Sequence, residues 1–266
     1  MRRPTVTTSL VITTYNRPDA LQLVLESVLH QRHLPDEIII ADDGSETKTR
    51  NLIEQMAERS TIPILHAWQP DTGFRAAMAR NRAIAMANGE YIVMIDGDMV
   101  LHPDFIQDHL NAAEKGTFIQ GGRVLLNRTK TEEVLASRDL TFSLFTEGIE
   151  NRKNAFHSPL LSRFFSKKGY SLKGIKTCNF SLFRKDILAV NGFDNCFVGW
   201  GREDSEFVVR MMNYGIMRKN IKFAAIAYHL YHPENPRQSL PQNEHRLQKS
   251  MAENMIRCEN GIERFL

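Results

Sequence analysis

The sequence holds no unbroken apolar run near the ~18 residues that a membrane-spanning helix needs, and its basic first residues are followed by no signal-type apolar core. The expectation is a cytoplasmic chain that works, if at a membrane, from its surface. Cysteine is scarce. Cys178, Cys196 and Cys258 are odd in number and without C-x-x-C spacing, which argues against a disulfide framework or a zinc ribbon. Charge of one sign is lacking too: 34 Lys and Arg face 31 Asp and Glu, so nothing in the balance calls for nucleic acid. The loop after the first apolar strand, "TTYNRPD", has no glycine. That excludes the G-x-G-x-x-G turn of a dinucleotide-binding dehydrogenase and the Gly-rich loop of a sugar nucleotidyltransferase.

What is present is an alternation of two periods. Val6 to Thr13, Glu37 to Ala41, Ile62 to Ala67 and Tyr91 to Ile95 read as short strands. Between them, Leu21, Val24, Leu25 and Val28, then Leu52, Ile53 and Met56, then Ala76, Ala79, Ala83, Ile84 and Ala87 form apolar stripes at helical spacing, the last ending at Asn88-Gly89. Strand, helix, strand, helix predicts an α/β fold with a mostly parallel central sheet flanked by helices. A 42% hydrophobic chain of 266 residues can bury such a core. Beyond Pro103 the pattern predicts helices over 104–114 and 132–146, a short strand at "FIQGG", and an amphipathic helix from Leu240 with Leu247, Met251 and Met255 on one face. Residues 151–176 carry seven Lys or Arg and no acid, with Phe156, Phe164, Phe165 and Tyr170 interleaved. Two readings apply to them: a solvated loop with core anchors, or a lid or surface for anionic acceptors or lipid headgroups.

In sheets of this kind ligands bind beyond the carboxyl ends of the strands, and here those ends are "TTYNRPD", "DDGS" and "DGD". Asp96 and Asp98, flanking Gly97 where a buried strand ends, can reach one hard cation; Mg²⁺ or Mn²⁺ held so keeps positions open for diphosphate oxygens. Asp42 and Asp43 suit base or ribose recognition, although Asp-Asp-Gly-Ser is also an ordinary turn. Of Arg75, Arg80 and Arg82 on the third helix, Arg75 is best placed to meet a nucleotide, the others reading as solvated.

The segments "VITTYNRPDALQLVLESVLHQ", "EIIIADDGS", "ARNRAIAMANGEYIVMIDGDMVLHPDFI" and "NGFDNCFVGWGREDSEFVVRMMNYG" resemble the inverting family-2 glycosyltransferases of GT-A fold. The second half is similar to the region shared by β-1,4-galactosyltransferases and chondroitin-type polymerases. The resemblance covers about residues 6 to 235 and implies one domain: a nucleotide-sugar half over 1–102, an acceptor half over 103–239 and a C-terminal helix over 240–266. It implies a UDP-sugar donor and a glycan or lipid-linked saccharide acceptor, with Thr13, Tyr15, Asn16, Asp42 or Asp43, and Arg75 around the nucleotide. Asp96 would lie near the ribose and Asp98 on the metal, with His229 completing the metal shell in preference to His232. Asp204 would be the general base, Glu203 would orient a substrate, and Trp200 beside Gly201 would pack on a sugar ring. Asn179 is a further candidate for the acceptor side. The alternatives are a relative of the same fold that binds glycans without turnover, and a transferase that uses another nucleotide-sugar donor.

Overall fold

The computed structural model describes residues 6–233 and 236–266; the basic tip, and the Glu-Asn that closes "AYHLYHPEN", lie outside them. The elements run β1 (Thr8–Thr14), α1 (Pro18–Leu29), β2 (Glu37–Asp42), α2 (Thr47–Arg59), β3 (Ile64–Trp68), α3 (Ala76–Met86), β4 (Tyr91–Asp96), β5 (Met99–Leu101), α4 (Phe105–Ala112), β6 (Thr117–Gln120) and β7 (Arg123–Leu125). They continue with α5 (Arg128–Ser137), α6 (Pro159–Phe165), β8 (Lys167–Gly169), β9 (Asn179–Phe183), α7 (Arg184–Ala189), α8 (Glu203–Asn213), β10 (Met217–Asn220), β11 (Ala227–His229) and α9 (Leu240–Ala252).

The main sheet has the order β3-β2-β1-β4-β9-β6-β10-β8. β1 to β4 are mutually parallel, β9 is antiparallel to both β4 and β6, and β10 returns parallel to β6. The parallel half is buried on both faces, and β2 is buried at all six positions, because helices cover each side. One face meets α1, α2 and α4 through Leu21, Val24, Leu25, Ile53 and Phe105. The other meets α3 and α8 through Ala79, Ala83, Ile84, Phe207 and Met211. A second sheet, β5-β11-β7, has its own core of Val100, Val124, Val134 and Tyr228.

The four N-terminal strands and three helices stand where the periodicity puts them. Past Pro103 the boundaries shift. The helix expected over 132–146 is α5, which ends at Ser137 because Arg138 turns into the left-handed region at φ 57°; Phe142 and Leu144 instead pack on the small sheet. Residues 151–176 are not a plain loop: a 3₁₀ turn over Arg152–Ala155, α6 and β8 fall inside them. Their aromatics are not core anchors, since Phe164 is 76% exposed and Phe156, Phe165 and Tyr170 are exposed as well; Ala155 and Ile175 take the buried positions. In α9 Leu247 is buried but Met251 is exposed, and Met255 follows the helix end.

Candidate active site

Register aligns the polar strand ends. Thr13 on β1 lies opposite Ala41 and Asp96, and Thr14 opposite Asp42. The chain turns after Asp96 so tightly that a Cβ on Gly97 would stand 2.9 Å from the Thr13 carbonyl oxygen, to which Gly97 N–H donates. Glycine at this position therefore lets the second aspartate follow the first without leaving the sheet rim.

Arg80 stands at the centre, and the reading of it as a solvated helix residue is corrected. It is 5% exposed. Its Nη2 donates to Asp96 Oδ1 at 3.2 Å, its Nη1 to Asp204 Oδ1 at 3.3 Å, and its Nε to Thr13 Oγ1 at 3.2 Å; Glu203 Oε1 lies 3.6 Å from Nη1. Three carboxylates surrounding one buried guanidinium leave the group net negative. Asn81 beside it is buried too, on the face of α3 that carries Ala76, Ala79 and Ala83.

Asp98 faces the other way. β5 pairs antiparallel with β11, setting Met99 opposite His229, so the fold brings the histidine across as expected. His229 Nε2 lies 3.7 Å from Asp98 Oδ1, and His232 Nε2 lies 3.4 Å from Oδ2. His232 joins His229 there: both rings reach the carboxylate, and donor atoms of all three side chains fall within 4.8 Å of one another. Asp98 Oδ1 is buried without a hydrogen-bond partner among the described residues. An orphaned carboxylate oxygen beside two imidazoles fits a divalent cation. Burial raises both Asp96 and Asp98 above the usual carboxylate range, and for Asp96 the Asp98 charge adds to this; burial pushes His229 down to about 4, leaving the neutral imidazole that ligates metals. Arg17 lies 3.6 Å from Asp98, while Arg123 and Lys176 act on the same carboxylates at longer range. Those three cations were not singled out in the sequence, where nothing separates them from surface charge.

At the end of β2, Asp42 is buried and occupied: Oδ1 accepts Ser45 N–H and Oδ2 pairs with His66 Nε2, each at 2.8 Å. Asp43 accepts from Gln69 Nε2 and from Arg75 N–H, each at 2.6 Å, and burial raises it to about 6. Arg75 caps α3 with its backbone, and its side chain reaches the Thr72 carbonyl. Tyr15, half exposed, donates to Asp71 at 2.8 Å. Asn16 holds a left-handed φ of 48° and receives Glu46 N–H on its side-chain oxygen. Gln69, missed in the sequence, leaves its buried Oε1 unpaired among the described residues.

Across Arg80 from Asp96, α8 opens with Glu203 and Asp204 after Arg202 at φ 76°. Asp204 is fixed by Thr177, whose N–H donates to Oδ2 at 3.0 Å and hydroxyl to Oδ1 at 2.6 Å. Glu203 is more enclosed; burial and the neighbouring Asp204 raise it to about 7. Glu206 belongs to the core instead, chelating Arg210. Trp200 is 37% exposed between Gly199 and Gly201, both at positive φ, and the Arg237 guanidinium lies 5.3 Å from its ring centre. Asn179 does not face this space. It is 2% exposed, gives Nδ2 to the Gly122 and Ala225 carbonyls and accepts from His109, so it braces β9 against neighbouring loops and the acceptor assignment is corrected.

The pattern that defines glycosyl transferase family 2 matches residues 9–191, and the chain belongs to that family. Its fold is the GT-A α/β fold. Residues 160–233 also match the N-terminal domain of galactosyltransferase. Among curated relatives, the hyaluronan synthase of Pasteurella multocida is 29% identical over 248 residues, covering 83% of this chain and 24% of that one. The chondroitin synthase of Escherichia coli is 26% identical over 247 residues, covering 83% and 34%. This chain therefore spans about a quarter to a third of the length of those two synthases. Residues 1–349 of S. aureus TarS in complex with UDP superpose with a TM-score of 0.64 at 15% identity, over 97% of this chain and 68% of that one.

Proposed function

We propose that this transferase moves a hexose from a UDP-sugar to a hydroxyl of a glycan acceptor, with inversion, supported by Mn²⁺ or Mg²⁺, as a single domain whose halves carry donor and acceptor. The observation that carries the reading is Arg80, which draws Asp96 of the donor half and Asp204 of the acceptor half onto one guanidinium.

Asp98, His229 and His232 would hold the metal, with Asp96 beside them; bound there, the ion neutralises charge on the departing diphosphate. Arg17, Arg123 and Lys176 add positive charge for the same phosphates. Asp43, which faces no imidazole as Asp42 faces His66, receives the uracil N–H, with Tyr15 and Arg75 flanking the base and Thr13 and Asn16 shaping the floor. Asp204 takes the acceptor hydroxyl proton: three donors fix its orientation, and its side chain is more accessible than that of Glu203. Such positioned base catalysis contributes ~10²–10⁴-fold. Glu203 positions the sugar, and Trp200, on a turn bent by Gly199 and Gly201, offers the free part of its ring to a pyranose.

Lipid-linked saccharides in bacterial surface polysaccharide synthesis fit as acceptors, reached from the cytoplasmic side of the membrane. Among the described residues no helix is long and apolar enough to cross a bilayer. α6 buries none of its residues and exposes Leu160, Phe164 and Phe165 beside Arg163 and Lys167, which suits peripheral contact with anionic headgroups. The assay is UDP release from a panel of UDP-hexoses with saccharide acceptors, in wild type and Asp204→Asn. Saccharide binding without release by wild type would instead favour the non-catalytic reading.

A further inference from the structure

A second His and Asp cluster lies at the far end of β5 from Asp98. His102 follows the strand, Asp104 precedes α4, and His157 comes from the turn that leads into α6. Asp104 Oδ2 is 3.8 Å from His102 Nδ1 and 4.0 Å from His157 Nδ1, and one donor atom from each of the three side chains lies within 4.8 Å of the others. The two imidazoles are stacked, with centroids 4.2 Å apart.

The hydrogen bonds show which ring nitrogens face the cluster. His157 Nε2 lies 2.8 Å from Asp108 Oδ2, a buried carboxylate that also accepts Ala225 N–H. A carboxylate is acceptor-only, so Nε2 carries the hydrogen and Nδ1 is the nitrogen turned toward Asp104. Asp104 N–H donates to His102 Nδ1 at 3.2 Å, so that nitrogen is a lone-pair site. One nitrogen from each imidazole and a carboxylate oxygen thus come within 4.8 Å of one another. An imidazole anchored through its other nitrogen by a carboxylate is the usual outer support of a metal ligand.

We infer that His102, Asp104 and His157 form a zinc-type metal site, distinct from the one at Asp98. Zn²⁺ bonds of ~2.0–2.1 Å in a tetrahedron separate the donor atoms by about 3.4 Å, so closing the site draws the three donors together and turns one imidazole out of the stack. Mixed nitrogen and oxygen ligands favour Zn²⁺ over Mg²⁺ or Ca²⁺. The occupant of the metal-free state is Arg32, whose Nη1 contacts Asp104 Oδ2 while its side chain is 70% exposed; it swings to solvent as the ion enters. The ion ties the root of the basic 151–176 segment to α4, clamping the base of α6 without touching the transfer site.

The test is equilibrium dialysis of the full chain against Zn²⁺ in an Asp98→Ala, His229→Ala background, which removes the other cluster. A single zinc is expected to remain bound. His157→Gln, whose amide keeps the bond to Asp108 but lacks the Nδ1 ligand, abolishes it, as does His102→Ala on a different element. Arg32→Ala tightens it several-fold, and zinc slows proteolysis within 156–170. No zinc retained, or zinc retained equally after both His157→Gln and His102→Ala, overturns the site and leaves an ion-pair network. The thermal midpoint of each variant identifies one that fails to fold, and the inference then rests on the other.

Discussion

The Arg80 guanidinium donates to the Asp204 carboxylate at 3.3 Å from a helix 124 residues earlier in the chain. The carboxylates of Asp96 and Asp204 are therefore not independent groups; one buried cation holds both.

Replacing that cation by methionine, similar in length and neutral, leaves Asp96, Glu203 and Asp204 together without their counter-charge. Breaking one partner out of a buried ionic group costs ~3–5 kcal/mol. Arg80→Met is expected to lose stability on that scale in urea unfolding, and to lose transfer. Arg82→Met, on the same helix but outside the cluster, is the control and leaves transfer intact. Equal stability of wild type and Arg80→Met would show that the carboxylates are not held by this residue.

Asp43, raised to about 6 by burial, gives donor binding a pH dependence. An N–H of uracil needs the ionised carboxylate, which predominates above that value and is lost below it. UDP affinity is expected to fall as pH drops from 7.5 to 5, and Asp43→Asn to flatten the profile while weakening binding at neutral pH. A wild-type profile unchanged across this range would remove Asp43 from base recognition.

His109 tests the linkage between protonation and folding. Its buried ring bonds Asn179 and Ser181, and burial depresses it to about 4, against ~6.5 in the unfolded chain. Between those values the unfolded state binds the proton and the folded state does not, so stability rises with pH. The contribution is fully present above pH 6.5 and lost as pH falls toward 4, on the order of 3 kcal/mol in all. His109→Gln should show a shallower decline between pH 7 and 4.5 in denaturant titrations; an identical slope would contradict the assignment.

Peripheral binding through α6 predicts sedimentation with vesicles of phosphatidylcholine and phosphatidylglycerol but not with phosphatidylcholine alone. Leu160→Ser with Phe164→Ser, or Arg163→Glu with Lys167→Glu, should lower it severalfold, and salt should weaken it. Binding to both vesicle types, or binding indifferent to all four changes, would separate the exposed aromatics from lipid.

The parallel half of the sheet was legible because burial on both faces forces continuous apolar strands, and because Asp42, Asp43, Asp96 and Asp98 end them. The cluster around Asp98 was partly legible: Asp98 and His229 carry the pattern, and the β5–β11 pairing that sets His229 opposite Met99 brings them together, while His232 lies beyond that strand. Arg80 was not, since an arginine on an alanine-rich helix looks the same in sequence whether it meets solvent or three carboxylates. Asn179 failed for the converse reason: a polar residue at a strand end suggests a site, but here three backbone and side-chain partners absorb it. The segment around α6 was read as basic and aromatic, yet which aromatics are buried depends on contacts that no local period encodes.

The central claim is that Asp98 belongs to a metal-supported UDP site, and calorimetry of UDP binding with and without Mn²⁺ tests it most directly. Wild type is expected to bind UDP more tightly with Mn²⁺, and Asp98→Ala to lose that metal dependence while retaining its fold by circular dichroism. No binding of UDP by wild type, or Mn²⁺-dependent binding that survives Asp98→Ala, would contradict it.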